Sequence, residues 1–323
     1  MRTLFLLIVA TACRPRAAPS TDPSPSSSSP SETPTDTDTP GSTSPTATDT
    51  ASETTPTTGT TDPLAPDYRP AGPYVVDRAD ARFTPSAGCT TDTRTFRPQG
   101  VATDTLLVLA HGFSRNQDAV ADLAEHLASW GLPVATMDLC HSTPLDNDPL
   151  QDGADLVALA DELGAGDRLY AGHSAGGLRS VLAATLDPAV ISVLGLDLVD
   201  LDELALDAAP SLSVPVGGVL GDPYSCNDSG NGLPVYGAAP DAQAIWVHEA
   251  DHCDFEWPTG ALCTAFCSQP STTPEARIQD TIHVLATAWA LWRTGLDPAG
   301  ARWWTVGEPP LDALVSSGAV TVQ

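Results

Sequence analysis

The sequence contains no lysine: all 14 of its basic residues are arginines. A chain without lysine cannot carry a phosphate-loop lysine, a Schiff-base lysine or a serine–lysine dyad. It also has no glycine-rich dinucleotide fingerprint and no H-E-x-x-H zinc motif. These absences exclude several classes of nucleotide-binding, metal-dependent and Schiff-base enzyme.

Positive charge is scarce beside negative charge. Residues 67–323 carry 34 aspartates and glutamates against 11 arginines, a net charge of −23. Such a domain repels nucleic acids and anionic lipid headgroups, because both carry negative charge. We therefore expect no nucleic-acid partner, and we interpret the acidic residues as a solvated surface.

Residues 14–66 contain very few apolar side chains, and residues 24–63 contain none that could seed a core. The segment consists almost entirely of Ser, Thr, Pro, Asp and Gly, and it cannot bury enough surface to offset its chain entropy. The composition predicts a disordered linker rich in Ser, Thr and Pro. Residues 67–323 then form one folded domain, whose length is usual for an α/β protein.

Residues 1–13 have the layout of a secretory signal peptide: Arg2, an apolar run over 4–9, and small residues that lead to Cys13. The run is too short for a membrane-spanning helix. Small residues before a cysteine resemble the lipobox of bacterial lipoproteins, in which that cysteine is lipidated. The pattern predicts a secreted outer-membrane or cell-surface lipoprotein of a bacterium, which touches the membrane only through Cys13. Plain cleavage near Ala12 is the alternative.

Six cysteines remain when Cys13 is set aside, and an even number in a secreted chain predicts up to three disulfides. Cys263 and Cys267 are close enough in sequence to pair, and we expect Cys226 to bridge to Cys253. No pair has C-x-x-C spacing, so we expect no zinc site. The six are Cys89, Cys140, Cys226, Cys253, Cys263 and Cys267.

Apolar runs alternate with helical patterns, which is typical of a mostly parallel sheet with helices on both faces. The predicted strands are 106–110, 133–139, 168–172, 190–197, 214–220 and 244–248, with edge strands at 74–77 and 94–97. The predicted helices are 117–130, 152–163, 175–186 and 274–293. Only about 16 residues join the strands 190–197 and 214–220, so we expect a minimal lid and an open site.

The strongest chemical signal is G-x-S-x-G at 172–176, between a predicted strand and a predicted helix. This nucleophile elbow exposes the hydroxyl of Ser174 on a tight turn. Gly172 and Gly176 are needed because neighbouring chains crowd that turn. The pattern makes Ser174 the candidate nucleophile.

The sequence H-G-F at 111–113 follows an earlier strand, at the place where this kind of fold supplies an oxyanion-hole amide. The backbone N–H groups of Phe113 and Ala175 are therefore the predicted donors to the oxyanion. His111 itself is expected to brace the loop rather than act as a base.

The general base should lie just after the last parallel strand. His252 follows the predicted end of that strand by four residues, in a loop from which it can reach Ser174. His248 is the rival, but it falls inside the strand pattern. His173, within the elbow, is expected to point away from the reacting atoms.

Two aspartates compete for the acid that orients the base. Asp197 ends the strand after the elbow helix, and Asp222 follows the next strand. Either choice preserves the chain order Ser, Asp, His. We favour Asp197 and keep Asp222 as the alternative acid, with Asp200 and Asp228 as weaker candidates.

The motifs GHSAGG, HGF, LGLDLVD and ADHCDFE together resemble the α/β-hydrolase superfamily, in particular the group of chlorophyllases, platelet-activating-factor acetylhydrolases and cutinase-like polyester hydrolases. In chlorophyllase-like members a Leu-Asp-Pro-Val-Asp segment supplies the acid at its first Asp, which corresponds to Asp197. Leu198 stands here in place of the Pro. The resemblance implies an α/β-hydrolase fold and ester hydrolysis through an acyl-enzyme, without metal or organic cofactor.

The expected function is that of a carboxylic ester hydrolase using Ser174, Asp197 and His252. The expected substrate is a small-molecule or polymeric ester, and the expected state is a monomer. A surface depolymerase or lipase acting on polyester or lipid is one alternative. A non-catalytic surface binding module on a hydrolase scaffold is the other.

Overall fold

The computed structural model describes residues 65–323. The predicted signal peptide 1–13 with Cys13, and the predicted linker over 14–64, lie outside the described residues. The last two residues assigned to the linker are described and lie on the folded domain. Ala65 packs against the core, and the carbonyl of Pro66 accepts a hydrogen bond from the indole of Trp303 at 3.1 Å.

The described chain forms a mixed α/β domain. Its strands are β1 (Val76–Ser86), β2 (Cys89–Pro98), β3 (Leu106–Ala110), β4 (Val134–Met137), β5 (Ser142–Thr143), β6 (Asp146–Asn147), β7 (Arg168–His173), β8 (Val190–Leu196), β9 (Val216–Leu220), β10 (Ala242–Val247) and β11 (Val320–Val322). Its helices are α1 (Ala121–Ser129), α2 (Pro149–Glu162), α3 (Ala175–Leu186), α4 (Leu204–Ala208), α5 (Leu233–Ala238), α6 (Ala261–Cys267), α7 (Glu275–Arg293) and α8 (Pro309–Ser316). Short 3-10 turns lie at Gln117–Val120, Ala209–Ser211, Ser225–Asn227, His252–Phe255 and Pro298–Trp303.

Nine of these strands form one sheet in the order β1-β2-β4-β3-β7-β8-β9-β10-β11. The six central strands, from β4 to β10, run parallel, so their carboxyl ends meet at one edge. Ligands bind at that edge in open parallel sheets. The predicted parallel sheet is confirmed, and each predicted central strand is present within two residues of its expected start.

Helices cover both faces of the sheet, and β9 illustrates how closely they approach. A Cβ on Gly217 would lie 2.6 Å from the ring of Trp289, which belongs to α7. A Cβ on Gly218 would lie 2.4 Å from the ring of Tyr236, which belongs to α5. Because successive residues of a strand face opposite sides, the two aromatic rings pack on opposite faces. Each face thus has its own buried cluster.

The two ends of the sheet differ from expectation. Instead of two short edge strands, residues 76–98 form a long hairpin, β1–β2, whose first strand is largely exposed. Exposure on both faces removes the apolar alternation by which a strand is recognised. At the other end β11 pairs antiparallel with β10 and closes that edge, which the sequence did not predict. Trp303 and Trp304, in the segment between α7 and α8, are buried.

Three disulfides are present, as the even cysteine count predicted, but both guessed pairings are wrong. The bonds join Cys89 to Cys140, Cys226 to Cys267, and Cys253 to Cys263. Cys263 and Cys267 are four residues apart on α6, so they share one helix face and each binds a different loop. Disulfides are compatible with an extracellular protein. Among residues 65–323, no helix is both long enough and apolar enough to cross a bilayer.

Candidate active site

Ser174 lies on a strained turn between β7 and α3, with φ 58° and ψ −129°. Non-glycine residues rarely adopt such a conformation, and it persists only where the surroundings enforce it. The surroundings are backbone: a Cβ on Gly172 would lie 2.3 Å from the carbonyl of Gly176, and a Cβ on Gly176 would lie 2.4 Å from the carbonyl of Ala110. The two glycines let α3 press against β3 and β7, and the turn places the hydroxyl at the carboxyl edge of the sheet.

The base candidate His252 reaches this hydroxyl. Its Nε2 lies 2.8 Å from Oγ of Ser174, within hydrogen-bond distance. It begins the 3-10 turn His252–Phe255, which Asp251 caps by accepting the N–H of Cys253 at 2.8 Å. The carboxylate of Asp251 also accepts the N–H of Gln269 at 2.6 Å, which ties the turn to the segment after α6.

Asp197 is the carboxylate that contacts His252. Its Oδ2 lies 2.6 Å from Nδ1 of the imidazole, and the residue is almost fully buried. Its Oδ1 accepts the N–H of Gly221 at 3.0 Å, and the amide of Asn227 donates to both carboxylate oxygens at 3.2 Å. The negative charge is therefore held by hydrogen bonds and aimed at one imidazole nitrogen.

Asp222, the alternative acid, has other partners. Its Oδ1 accepts the indole N–H of Trp246 at 2.7 Å, and its Oδ2 accepts the N–H of Glu249 at 3.0 Å. Its own N–H donates to the carbonyl of Ala250 at 2.8 Å. Asp222 thus fastens the loop that leads to His252 and makes no hydrogen bond to the imidazole.

The remaining sequence candidates also lie elsewhere. Asp200 accepts the N–H groups of Ala205 and Leu206, at the start of α4. The carboxylate of Asp228 accepts from Asn231 at 2.9 Å. The ring of His248 is exposed, and its Nε2 lies 2.7 Å from the hydroxyl of Thr321 on β11.

The predicted oxyanion donors flank Ser174. Ala175 is the first residue of α3, and within the described residues neither its N–H nor that of Phe113 donates a hydrogen bond, whereas the N–H of Ser114 donates to Ser142 at 2.8 Å. Gly112 lets the loop approach, since a Cβ there would lie 3.1 Å from Cβ of Ser174. Two free amides beside the nucleophile are suited to hold a negatively charged oxygen.

His111 braces this loop, as the sequence suggested. Its Nδ1–H donates to the carbonyl of Gly112 at 2.8 Å, and its Nε2 accepts the N–H of Leu139 at 2.9 Å. Complete burial lowers the pKa of His111 to about 4. The ring is therefore neutral at pH 7, and its single proton is used within the loop.

His173 has a neighbour that the sequence analysis missed. Its ring centroid lies 4.5 Å from that of His252, and its Nε2–H donates to the carbonyl of His252 at 3.0 Å. Burial, with the charge of His252 and Arg115, lowers the pKa of His173 well below its ordinary value, so the ring stays neutral. The elbow thus carries both the candidate nucleophile Ser174 and a support for the backbone of His252. A histidine at the second elbow position was the only signal.

Asn227 was also missed. It is fully buried in the turn after β9, where its amide donates to Asp197 and, at 2.9 Å, to the carbonyl of Asp222. Its Oδ1 accepts the N–H of Tyr224 at 2.7 Å. The sequence shows it only as one polar residue in a loop of polar residues, so its partner could not be foreseen.

Asp254 lies in the same turn as His252, and its Oδ2 accepts the N–H of Asp251 at 2.8 Å. Burial raises its pKa to about 7, and the nearby carboxylates of Asp251, Glu275 and Asp197 add to that shift. Asp254 thus changes charge near neutral pH, two residues from the base.

One group in the described residues has the composition of a metal site. The sulfurs of Cys253, Cys263 and Cys267 lie within 4.8 Å of one another. All three are engaged in disulfides, and metals bind the thiolate form of cysteine. The oxidised cluster therefore offers no thiolate to an ion.

No protein-family model matches this chain, and no curated protein matches it.

Proposed function

We propose that this chain is a serine hydrolase that cleaves carboxylic esters on an α/β-hydrolase fold with a minimal lid. The observation that carries the proposal is the hydrogen-bonded line from Ser174 through His252 to Asp197, with contacts of 2.8 and 2.6 Å. A nucleophile, a base and a group that orients the base occur together in this way in acyl-transfer enzymes of unrelated folds. The strained elbow and the two free amides support the same interpretation.

The first half of the reaction forms an acyl-enzyme. Oγ of Ser174 attacks the ester carbonyl while Nε2 of His252 takes the hydroxyl proton. The carbonyl oxygen becomes an oxyanion, which the N–H groups of Phe113 and Ala175 stabilise. Asp197 stabilises the imidazolium and keeps its Nδ1 proton in place. His252 then gives its proton to the departing alkoxide, which leaves as an alcohol.

The second half releases the acid. A water molecule takes the place of the alcohol and loses its proton to Nε2 of His252. Its oxygen attacks the acyl carbonyl, and the same two amides hold the second oxyanion. The bond to Oγ breaks, and the proton on His252 returns to Ser174. No step calls for a metal or an organic cofactor.

The test is hydrolysis of short-chain p-nitrophenyl esters by the purified chain and by Ser174→Ala. We expect kcat/KM to fall by about 10⁴-fold or more, since removal of a serine nucleophile leaves only the remaining site interactions. Ser213→Ala is the matched control, because it makes the same substitution at an exposed serine between α4 and β9. Equal rates for the parent and Ser174→Ala would contradict the proposal. No hydrolysis of any ester by the parent would favour the non-catalytic binding module instead.

A second candidate is action on water-insoluble esters such as polyester or lipid. Exposed apolar side chains on segments that follow β4 and β10 favour it: Leu145 is 100% exposed, Leu262 56% and Phe266 55%. Solvated leucine and phenylalanine at the catalytic edge suit contact with an apolar surface. The double variant Leu262→Ser/Phe266→Ser should release several-fold less product from a polyester film. Its rate on dissolved esters should change by less than about twofold; an equal loss on both substrates would exclude a surface role.

We also propose that the chain is a secreted monomer anchored by a lipid on Cys13, since the signal pattern and the disulfides agree with export. Metabolic labelling with an alkyne fatty acid should mark the parent and not Cys13→Ala. Cleavage without labelling would support plain secretion.

A further inference from the structure

Helix α6 is fastened to the two loops that build the acid–base pair. Cys263 binds Cys253, which directly follows His252 in the chain. Cys267 binds Cys226, which directly precedes Asn227, the residue that donates to both oxygens of Asp197. One short helix therefore links the loop of the base to the loop that holds the acid.

The two disulfides are also neighbours of each other. The sulfurs of Cys253, Cys263 and Cys267 lie within 4.8 Å of one another, so a sulfur of one bond stands beside both sulfurs of the other. The two bonds differ in their exposure to solvent. Cys253 and Cys263 are only 2% and 0% exposed, whereas Cys226 and Cys267 are partly exposed. A reductant in solution meets the Cys226–Cys267 bond before the Cys253–Cys263 bond, because thiol–disulfide exchange requires access to a sulfur.

We propose that these four cysteines form a thiol–disulfide exchange site whose state controls the proposed hydrolase site. Its co-reactant is a dithiol reductant. The coupling to activity rests on the proposed function, whereas the exchange itself does not.

The chemistry takes place in two stages. A thiolate of the dithiol attacks one sulfur of the Cys226–Cys267 bond and forms a mixed disulfide, while the other cysteine leaves as a thiolate. The second thiol of the reductant then attacks the mixed disulfide and displaces the remaining cysteine. The dithiol leaves as a cyclic disulfide, and Cys226 and Cys267 have gained two electrons and two protons. The thiolate of Cys267 then attacks a sulfur of the Cys253–Cys263 bond. A new bond to Cys267 forms, and the other cysteine leaves as a thiolate without net oxidation or reduction.

Either stage disturbs the hydrogen bonds on which the site depends. Opening Cys226–Cys267 releases the turn that presents Asn227 to Asp197. Exchange at Cys253 pulls on the residue adjoining His252. Displacement of a reacting group by about 1 Å can cost on the order of a hundredfold in rate, so the exchanged form is the less active one.

A matched pair of variants separates exchange from simple loss of a bond. Cys226→Ser and Cys267→Ser both lack the same disulfide, but only Cys226→Ser leaves the thiol that stands beside Cys253 and Cys263. Non-reducing peptide mapping of the alkylated proteins should show Cys267 paired with Cys253 or Cys263 in part of the Cys226→Ser sample. The Cys267→Ser sample should show Cys253–Cys263 alone, and Cys89–Cys140 should be intact in both.

The second measurement uses reduction of the parent chain, so its result does not depend on whether the cysteine variants fold. Graded dithiothreitol should open Cys226–Cys267 before Cys253–Cys263, and fluorophosphonate labelling of Ser174 should slow by about tenfold or more in step with that opening. Reoxidation should restore the rate. Identical maps for the two variants, or an unchanged labelling rate after the first bond opens, would overturn the proposal. If Ser174 does not react in the oxidised parent, the proposed function fails, and the cysteine maps alone decide the exchange.

Discussion

Strands β8 and β9 are neighbours in the sheet, and the turn after each carries an aspartate at the same edge. Asp197 is buried behind His252, with its charge held by Gly221 and Asn227. Asp222 holds the indole of Trp246 and the backbone of Glu249. The second turn therefore supports the candidate site without touching the imidazole: its Asn227 donates to Asp197, and its Asp222 fastens the loop that leads to His252. Both aspartates are candidates for the acid because each follows a parallel strand at the same edge. The hydrogen-bond donors around each carboxylate distinguish the one that contacts His252 from the one that does not.

The largest expected effect separates these two carboxylates. Asp197→Asn should lower kcat/KM for ester hydrolysis by about 10³- to 10⁴-fold, because the amide no longer fixes the tautomer or stabilises the imidazolium. Asp222→Asn should lower it by less than about tenfold, since an amide oxygen can still accept from Trp246 or Glu249. Rates on a dissolved p-nitrophenyl ester measure both. Equal losses, or a larger loss for Asp222→Asn, would reverse the assignment.

Asn227 is the residue through which the second turn acts on the first. Asn227→Ala should reduce kcat by about ten- to a hundredfold while KM changes little, because Asp197 loses the donor that orients it. Asn231→Ala removes a partner of Asp200 and Asp228 and serves as the control. A rise in KM with constant kcat would assign Asn227 to substrate binding instead.

His173 is the corresponding support on the side of the elbow. His173→Phe fills the space but removes the donor to the carbonyl of His252, and we expect kcat to fall by about tenfold. His173→Gln places an N–H donor near the position of Nε2 and should recover most of that loss. The pH profile should keep its midpoint in both variants, because the ring is neutral and does not titrate near pH 7. Equal rates for the two variants would mean that the hydrogen bond is unimportant.

The smallest expected effect is electrostatic and involves Asp254. Its pKa of about 7 lies above its ordinary value of 3.8, so between these pH values the folded state binds a proton that the unfolded chain has released. The free energy of unfolding of the parent should therefore decrease by at least about 1 kcal/mol as pH rises through this window. Asp254→Asn should not show this decrease, because the amide does not titrate.

The pKa of Asp254 also indicates whether Asp197 or Asp222 lies nearer to its carboxylate. The charge of Asp197 contributes to the raised pKa of Asp254, so Asp197→Asn should move its titration to lower pH. Asp222→Asn should leave the midpoint closer to that of the parent. Carbon NMR of the Asp254 carboxyl group measures both shifts; a larger shift in Asp222→Asn would contradict the arrangement.

Local patterns explain what the sequence could predict. The parallel strands are continuous apolar runs, and the elbow at Ser174 is a five-residue motif that lies directly between a strand pattern and a helix pattern. Ser174, His252 and Asp197 were recognisable as residues at strand ends of one edge. The choice between Asp197 and Asp222 depends on hydrogen bonds between separate loops, which spacing does not encode.

Longer-range features were out of reach for the same reason. The disulfide pairing depends on the position of α6 between two loops. Cys263 and Cys267 are four residues apart, and this spacing is compatible with a bond between them or with bonds from each to a different loop. The hairpin β1–β2 lacks apolar alternation because much of β1 faces solvent. The strand β11 owes its existence to the open edge of β10 rather than to its own three residues.

If Ser174 is an activated nucleophile, a fluorophosphonate should label it rapidly in the purified, oxidised chain. Peptide mass mapping should find a single adduct on Ser174, and His252→Gln should abolish rapid labelling because the serine loses its base. An adduct on another residue, or no adduct on the folded parent, would mean that Ser174 is not an activated nucleophile and that the elbow is a structural turn.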